Sequence, residues 1–298
     1  MRHRHLRHWR SWRLRTCVLA IGLAGFLAGC SNKSPTEPTP PQTQPNVVSY
    51  TAIGASDAIA YGASHDCFPF AACPDGTGYV QVTKRRLEAA GKTVSLLNLG
   101  IPGAVLGPDI EAVGNALSRG IPGNYLEREM PFVARDSTLV TIFAGGNDIN
   151  TVADAVNSGM GGSDPLAYTN TLTNGFGRDL NTLVAGVKSR APGARIIALN
   201  LPNFAGLPFT AGYTLTQKKG VQAIAMAFSA KVNGLTSQSV LVIDLMCDPR
   251  SYIAGNYSAD GFHPNDSGYA YIADLVYNAA LTGSASAPRS SCAQMTLF

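Results

Sequence analysis

The sequence predicts an α/β protein, a three-layer α/β/α sandwich on a central parallel sheet of five strands. Three observations predict it. Short runs rich in β-branched residues alternate along the chain with longer stretches of helical periodicity. The strand-like runs are nearly continuously apolar, as in parallel sheets that helices cover on both faces. About 250 residues follow the N-terminal leader, enough for one well-buried core and short for two ordinary domains.

The first strand is expected over residues 48–55, where an apolar run starting at Val47 gives way to Gly54-Ala55-Ser56-Asp57. Residues 62–78 form an insert containing His65, Cys67, Phe68 and Cys73. An amphipathic helix spans residues 79–90 and stops at Gly91, and the second strand, residues 94–99, runs into Asn98-Leu99-Gly100-Ile101-Pro102-Gly103. Residues 119–132, with Ile121, Tyr125, Leu126, Met130 and Phe132, are an apolar insertion that either packs beneath the rim or lines an acyl pocket. The third strand, residues 138–143, leads into Gly145-Gly146-Asn147-Asp148. A long, polar-faced helix over residues 165–190 ends at Ala191-Pro192-Gly193. Strand 195–199, helix 216–236, strand 240–245 and helix 266–281 complete the order. Ligands of such sheets sit outside the carboxyl ends of the strands. The segments after the first, second, third and fifth strands therefore converge on one rim. There is no internal repeat at solenoid periods.

The first fifteen residues hold six arginines, three histidines and no acid, and residues 17–29 are uncharged. That apolar stretch is short for a membrane span and fits the core of an export signal. It ends in Leu27-Ala28-Gly29-Cys30, which resembles the lipobox of bacterial lipoproteins, with Cys30 the lipidated first residue after cleavage of residues 1–29. An ordinary signal peptide cut nearby is the alternative. Ser31, in place of an aspartate, fits outer-membrane delivery. Residues 30–46 are rich in Pro, Thr and Gln and read as an extended tether reaching roughly 50 Å at ~3.1 Å per residue. Residues 47–298 are the expected functional domain.

Removing the six leader arginines from 23 basic residues leaves 17 against 19 acids, a formal charge of −2. The basic balance belongs to the leader, so nothing supports nucleic-acid binding. Once the leader is set aside, four cysteines remain besides Cys30: Cys67, Cys73, Cys247 and Cys292. An even number in an exported chain suggests two disulfides. Of three connectivities, Cys67–Cys73 with Cys247–Cys292 is expected, because the first closes a short loop and the second pins a Gly/Ser-rich tail. The rival reading of the first pair, half of a metal site, lacks an accompanying Cys-plus-His set.

The chemistry is carried by Asp260-Gly261-Phe262-His263-Pro264. His263 is one of only two histidines beyond the leader, and imidazole is the side chain suited to general-base work near neutrality. Asp260, three residues upstream, is placed to orient it. Ser56, at a strand's carboxyl end with its hydroxyl expected to stand exposed on a loop, is the candidate nucleophile. Each piece has a plainer reading alone: Gly54-x-Ser56 as a tight turn, Asn147-Asp148 as a helix start, His263 as a cap of the last helix.

In this order and at these strand ends, the four blocks resemble the SGNH (GDSL-type) hydrolase family, over roughly residues 49 to 280. The resemblance implies a flavodoxin-like sheet, with Ser56 as nucleophile, His263 as base and Asp260 orienting the imidazole. The oxyanion hole would be the N–H groups of Ser56 and Gly103 and the side-chain amide of Asn147, with Gly100 the rival for Gly103. It implies an exported, lipid-anchored, monomeric serine esterase acting on small acyl esters or acetylated polysaccharide, with no metal or organic cofactor. One departure stands out: Ala55 occupies the position of the family's usual aspartate and cannot make that residue's hydrogen bonds. Asp57 either compensates from the other side or is a turn aspartate. His65 is read as a surface residue of a stapled flap or as a substrate contact.

Two serine-esterase folds compete for this pattern. The α/β-hydrolase fold is disfavoured because Ser56 follows the first strand and Gly54-x-Ser56-x-Ala58 lacks the second glycine of a nucleophile elbow. A non-catalytic binding module on the SGNH fold, and an acetyltransferase using the same residues, remain alternatives.

Overall fold

The computed structural model describes residues 46–69 and 71–298. The leader, Cys30 and the tether before residue 46 lie outside the described residues.

Five parallel strands form one sheet: β1 (Val47–Gly54), β2 (Thr93–Asn98), β3 (Leu139–Phe143), β4 (Arg195–Leu199) and β5 (Leu241–Ile243). Their spatial order is β2-β1-β3-β4-β5, with Ala52 opposite Asn98 and Gly54 opposite Phe143. The order reverses direction at β1, leaving a crevice outside the carboxyl ends of β1 and β3. Right-handed crossovers running in opposite directions from that point place their helices on opposite faces. On one face α1 (Tyr79–Ala89) packs against α7 (Asp266–Thr282). On the other, α5 (Pro165–Arg190) packs against α6 (Leu215–Asn233).

β3, apolar but for Thr141, is buried along its whole length, and Ile197 of β4, Val242 of β5, Phe176 of α5 and Phe228 of α6 are core residues with it. β5 is shorter than the expected 240–245. The N–H groups of Leu245 and Met246 are taken by Asn200 Oδ1, at 2.6 and 3.0 Å, which ends the ladder at Ile243. Three helices were not expected: α2 (Pro108–Ala116), the one-turn α3 (Tyr125–Arg128) and α4 (Gly146–Asn157).

The structure pairs Cys67 with Cys73 and Cys247 with Cys292. The flap between β1 and α1 is held at its base by Asp266, whose carboxylate accepts from Ser64 N–H, Ser64 Oγ and Thr77 Oγ1 at 2.8, 2.6 and 2.7 Å. No described helix is long and apolar enough to cross a membrane.

Candidate active site

Ser56 lies two residues beyond β1, at the crevice. It is only 6% exposed rather than free on an open loop, because its Oγ lies 2.8 Å from His263 Nε2. His263 Nδ1 is 2.6 Å from Asp260 Oδ2. The other carboxylate oxygen of Asp260 accepts from the N–H groups of Phe262 and His263 and from Ser258 Oγ, at 2.8, 2.9 and 2.8 Å. Desolvation alone would raise the Asp260 pKa. The hydrogen bonds from His263 and these donors outweigh it and pull the carboxyl down to about 2. Asp260 is thus a fixed anion facing Nδ1, which makes Nδ1 the donor and leaves Nε2 to accept from Ser56 Oγ. His263 does not cap α7. That role belongs to Asn265, whose Oδ1 accepts from Ser267 and Gly268 N–H. The imidazole instead sits edge to face with two rings, Tyr61 at 4.7 Å and Phe262 at 4.8 Å.

Gly100 and Gly103 separate by what their N–H groups do. Gly100 donates to Asn98 Oδ1 at 3.1 Å, and a Cβ there would meet Ala58 Cβ at 2.6 Å, so it serves a close turn. Gly103 takes φ +83°, which glycine adopts without strain. Among the described residues, neither its N–H nor that of Ser56 has a protein acceptor. Asn147, in the first turn of α4, is fixed by Nδ2 donating to Ala104 O at 2.9 Å, and the second hydrogen of that amide stays available.

A family model for GDSL-like lipases and acylhydrolases matches residues 49–271. The chain belongs to this family. Among solved structures, the lipase Lip_vut3 from a goat rumen metagenome is 19% identical with a TM-score of 0.50, covering 81% of this chain and 99% of its own. An extracellular lipase from Streptomyces rimosus is 21% identical at TM-score 0.50, covering 78% and 99%. A variant of the acetyl xylan esterase Axe2 from Geobacillus stearothermophilus is 16% identical at TM-score 0.50, covering 80% and 96%. At these identities the structures speak for the fold. No curated protein sequence matches the chain.

In this GDSL-like acylhydrolase, Asp57 does not take over the hydrogen bonds that Ala55 cannot make. Its carboxyl faces a small cavity with Phe143, Leu201, Tyr257, Phe262 and Ile272, of about 30 Å³, room for a water and not for an acyl chain. Burial there pushes its pKa up, against the opposing pull of His263. Tyr269 Oη, 3.5 Å from its Oδ1, donates its hydrogen to Tyr61 O at 2.8 Å. His65 bonds within the flap, to Ser64 and Thr77, and not to the triad. The 119–132 insertion mostly packs beneath the rim: Tyr125 is buried and donates to Phe143 O at 3.3 Å, while Phe132 is exposed. A groove of about 820 Å³ elsewhere, against β5 and the C-terminal tail, contains none of the site residues.

Sequence reasoning named Asn98 only as the first residue of its block, without a role, and missed Tyr61 and Glu129. Asn98 Nδ2 donates to Ala58 O at 2.7 Å, stitching the loop after Ser56 to the turn at Gly100. Nothing in the sequence separated Glu129 from Glu127, two residues before it in the same insertion.

Proposed function

We propose that the chain is an exported serine esterase that hydrolyses carboxylic acyl esters through an acyl-serine intermediate. The observation that carries this reading is the unbroken hydrogen-bonded run from Ser56 Oγ through His263 to Asp260. Ser56 Oγ attacks the ester carbonyl carbon while its proton passes to His263 Nε2. The carbonyl oxygen becomes an oxyanion held by Ser56 N–H, Gly103 N–H and Asn147 Nδ2. Collapse breaks the bond to the alcohol oxygen, which takes the proton from Nε2. Water then repeats the sequence on the acyl-serine, releasing the acid and restoring the serine. The site residues need no metal or organic cofactor for these steps.

For the alcohol, the half-exposed ring of Tyr61 beside His263 supports a cyclic group, an aryl ring or the sugar of an acetylated polysaccharide. Cleavage before Cys30, lipidation of that residue and a tether over residues 30–46 would present the domain, as a monomer, at the cell envelope. Stoichiometric labelling of Ser56 by a fluorophosphonate, with turnover of p-nitrophenyl acetate, tests the esterase reading. An unlabelled Ser56 in folded protein overturns it in favour of a binding module. Acetyl transfer to a sugar acceptor in preference to water would instead make it a transferase.

A further inference from the structure

Glu129 is wholly buried, at the end of α3. Its Oε2 accepts from Gly54 N–H at 2.9 Å, and its Oε1 has no partner. Its one hydrogen-bond donor among the described residues is Gly54 N–H; the Ile101 N–H beside it donates to Gly54 O, and the titratable groups near it are the buried hydroxyls of Tyr79 and Tyr125. A carboxylate in such a place would be an unpaired buried charge, so the group is held as the neutral acid. Burial accordingly pushes its pKa well above the ordinary range, against those two N–H groups.

The two peptides it faces matter. Gly54 stands two residues before Ser56, and Ile101 two before Gly103. Gly54 O in turn accepts from Ile101 N–H at 3.1 Å, and Ile101 O from Ala104 N–H at 3.1 Å. Ala104 O accepts from Asn147 Nδ2 at 2.9 Å. One run of hydrogen bonds thus starts at Glu129, crosses the end of the nucleophile strand and the turn before Gly103, and ends on the side chain of Asn147. All three proposed oxyanion donors hang from it. Ala55 contributes no side-chain hydrogen bond there, and Asp57 faces away into its own cavity.

We propose that Glu129, as a neutral carboxylic acid, is the positioning residue that sets the spacing between the nucleophile strand and the oxyanion turn. The inference rests on the esterase reading of the site. Glu129 touches no reacting atom and acts only through Gly54 and the turn. Gln supplies the same acceptor without a charge, and Leu supplies the volume without an acceptor.

The test measures kcat and KM for p-nitrophenyl acetate in wild type, Glu129→Gln and Glu129→Leu, with melting temperature and the far-UV spectrum of each. Glu129→Gln is expected to stay within about threefold of wild type in kcat. Glu129→Leu is expected to lose at least thirtyfold in kcat with KM within about threefold, because the disturbed donors act on the transition state. If Glu129→Leu fails to fold, Glu129→Gln decides: a loss as large as that of Ser56→Ala means that the ionised carboxylate is needed, and the proposal fails. It also fails if Glu129→Leu melts lower but keeps wild-type kcat. Absence of turnover in the wild type would sink the esterase reading itself, a separate outcome.

Discussion

Tyr61 meets the imidazole of His263 edge to face, with ring centroids 4.7 Å apart and planes at 61°. Its backbone is held at both ends, its N–H donating to Ser56 O at 2.9 Å and its carbonyl accepting from Tyr269 Oη at 2.8 Å. The preceding Ala60 takes φ +67°, a conformation that costs a non-glycine residue energy and recurs at functional sites. Yet the Tyr61 side of this arrangement is 49% exposed. In the proposed mechanism, where His263 protonates the leaving group, a ring held in this way and open to solvent would contact the departing alcohol.

Tyr61→Phe should therefore behave like wild type, since the contact is made by the ring. Tyr61→Ala should lower kcat/KM roughly fivefold for aryl or sugar esters and less for ethyl esters, a ring contact contributing about 1 kcal/mol. Steady-state kinetics on matched acetate esters check this. An equal loss on all alcohols would reduce Tyr61 to a support for His263.

Ser56→Ala should abolish hydrolysis while leaving the melting curve near that of wild type, because it removes one oxygen at the rim. Activity within tenfold of wild type would contradict the nucleophile assignment. Asn147→Ala should lower kcat by about 10²–10³ with little change in KM, as expected for a donor used in the transition state. A change confined to KM would make Asn147 a substrate binder.

Asp148 offers a test by pH. Its carboxyl is fully buried, accepting from Leu106 N–H at 2.9 Å through Oδ1, with Oδ2 unpartnered. Burial pushes its pKa from 3.8 up to about 7, against the hydrogen bonds from Leu106 and its own N–H. Below its unfolded pKa both states hold the proton and nothing is lost. As pH rises from about 4 towards 7, the unfolded chain releases the proton while the folded one keeps it, so stability falls, levelling once the folded group also ionises. Asp148→Asn keeps the acceptor for Leu106 without titrating. Its melting temperature relative to wild type should rise by about 5 °C or more between pH 4 and pH 8. A pH-independent difference would mean that Asp148 is ionised throughout.

The residues legible in the sequence are those whose chemistry demands a rare type at a fixed spacing. His263 and Asp260, singled out because few imidazoles remain after the leader and a carboxylate stands three residues away, lie 2.6 Å apart in the structure. Ser56 followed from the end of an apolar strand. What stayed illegible depends on where a backbone group is spent. Gly100 and Gly103 look alike until Asn98 is seen to occupy the N–H of Gly100. β5 looks longer than it is until Asn200 takes the N–H groups that would extend it. α4 begins in the G-G-N-D block, so the plainer reading of Asn147-Asp148 as a helix start and the reading for chemistry hold together. Glu129 shows the same limit. It follows Glu127 and Arg128, both exposed, and its burial shows only when the strand it bonds, 75 residues away in sequence, is known.

The two disulfides should separate stability from activity. Cys247 and Cys292 are 45 residues apart, Cys67 and Cys73 only 6. By loop-closure entropy the longer link stabilises by roughly 4 kcal/mol and the shorter by roughly 2. The long link ties down a tail that also docks through Gln222, whose Oε1 accepts from the N–H groups of Leu297 and Phe298 at 3.1 and 3.2 Å, and the tail makes no hydrogen bond to Ser56, His263 or Asp260 among the described residues. The short link closes the flap that begins beside Tyr61, and Cys67 N–H donates to Ile59 O at 2.7 Å. Replacing Cys247 and Cys292 by alanine should therefore lower the melting temperature more, with kcat/KM at 25 °C little changed. Replacing Cys67 and Cys73 should cost less in melting temperature and more in kcat/KM, because the loosened flap no longer supports the loop between Ser56 and Tyr61. Melting curves and kinetics on the two double variants check both halves, and the reverse ranking in activity would detach the flap from the site.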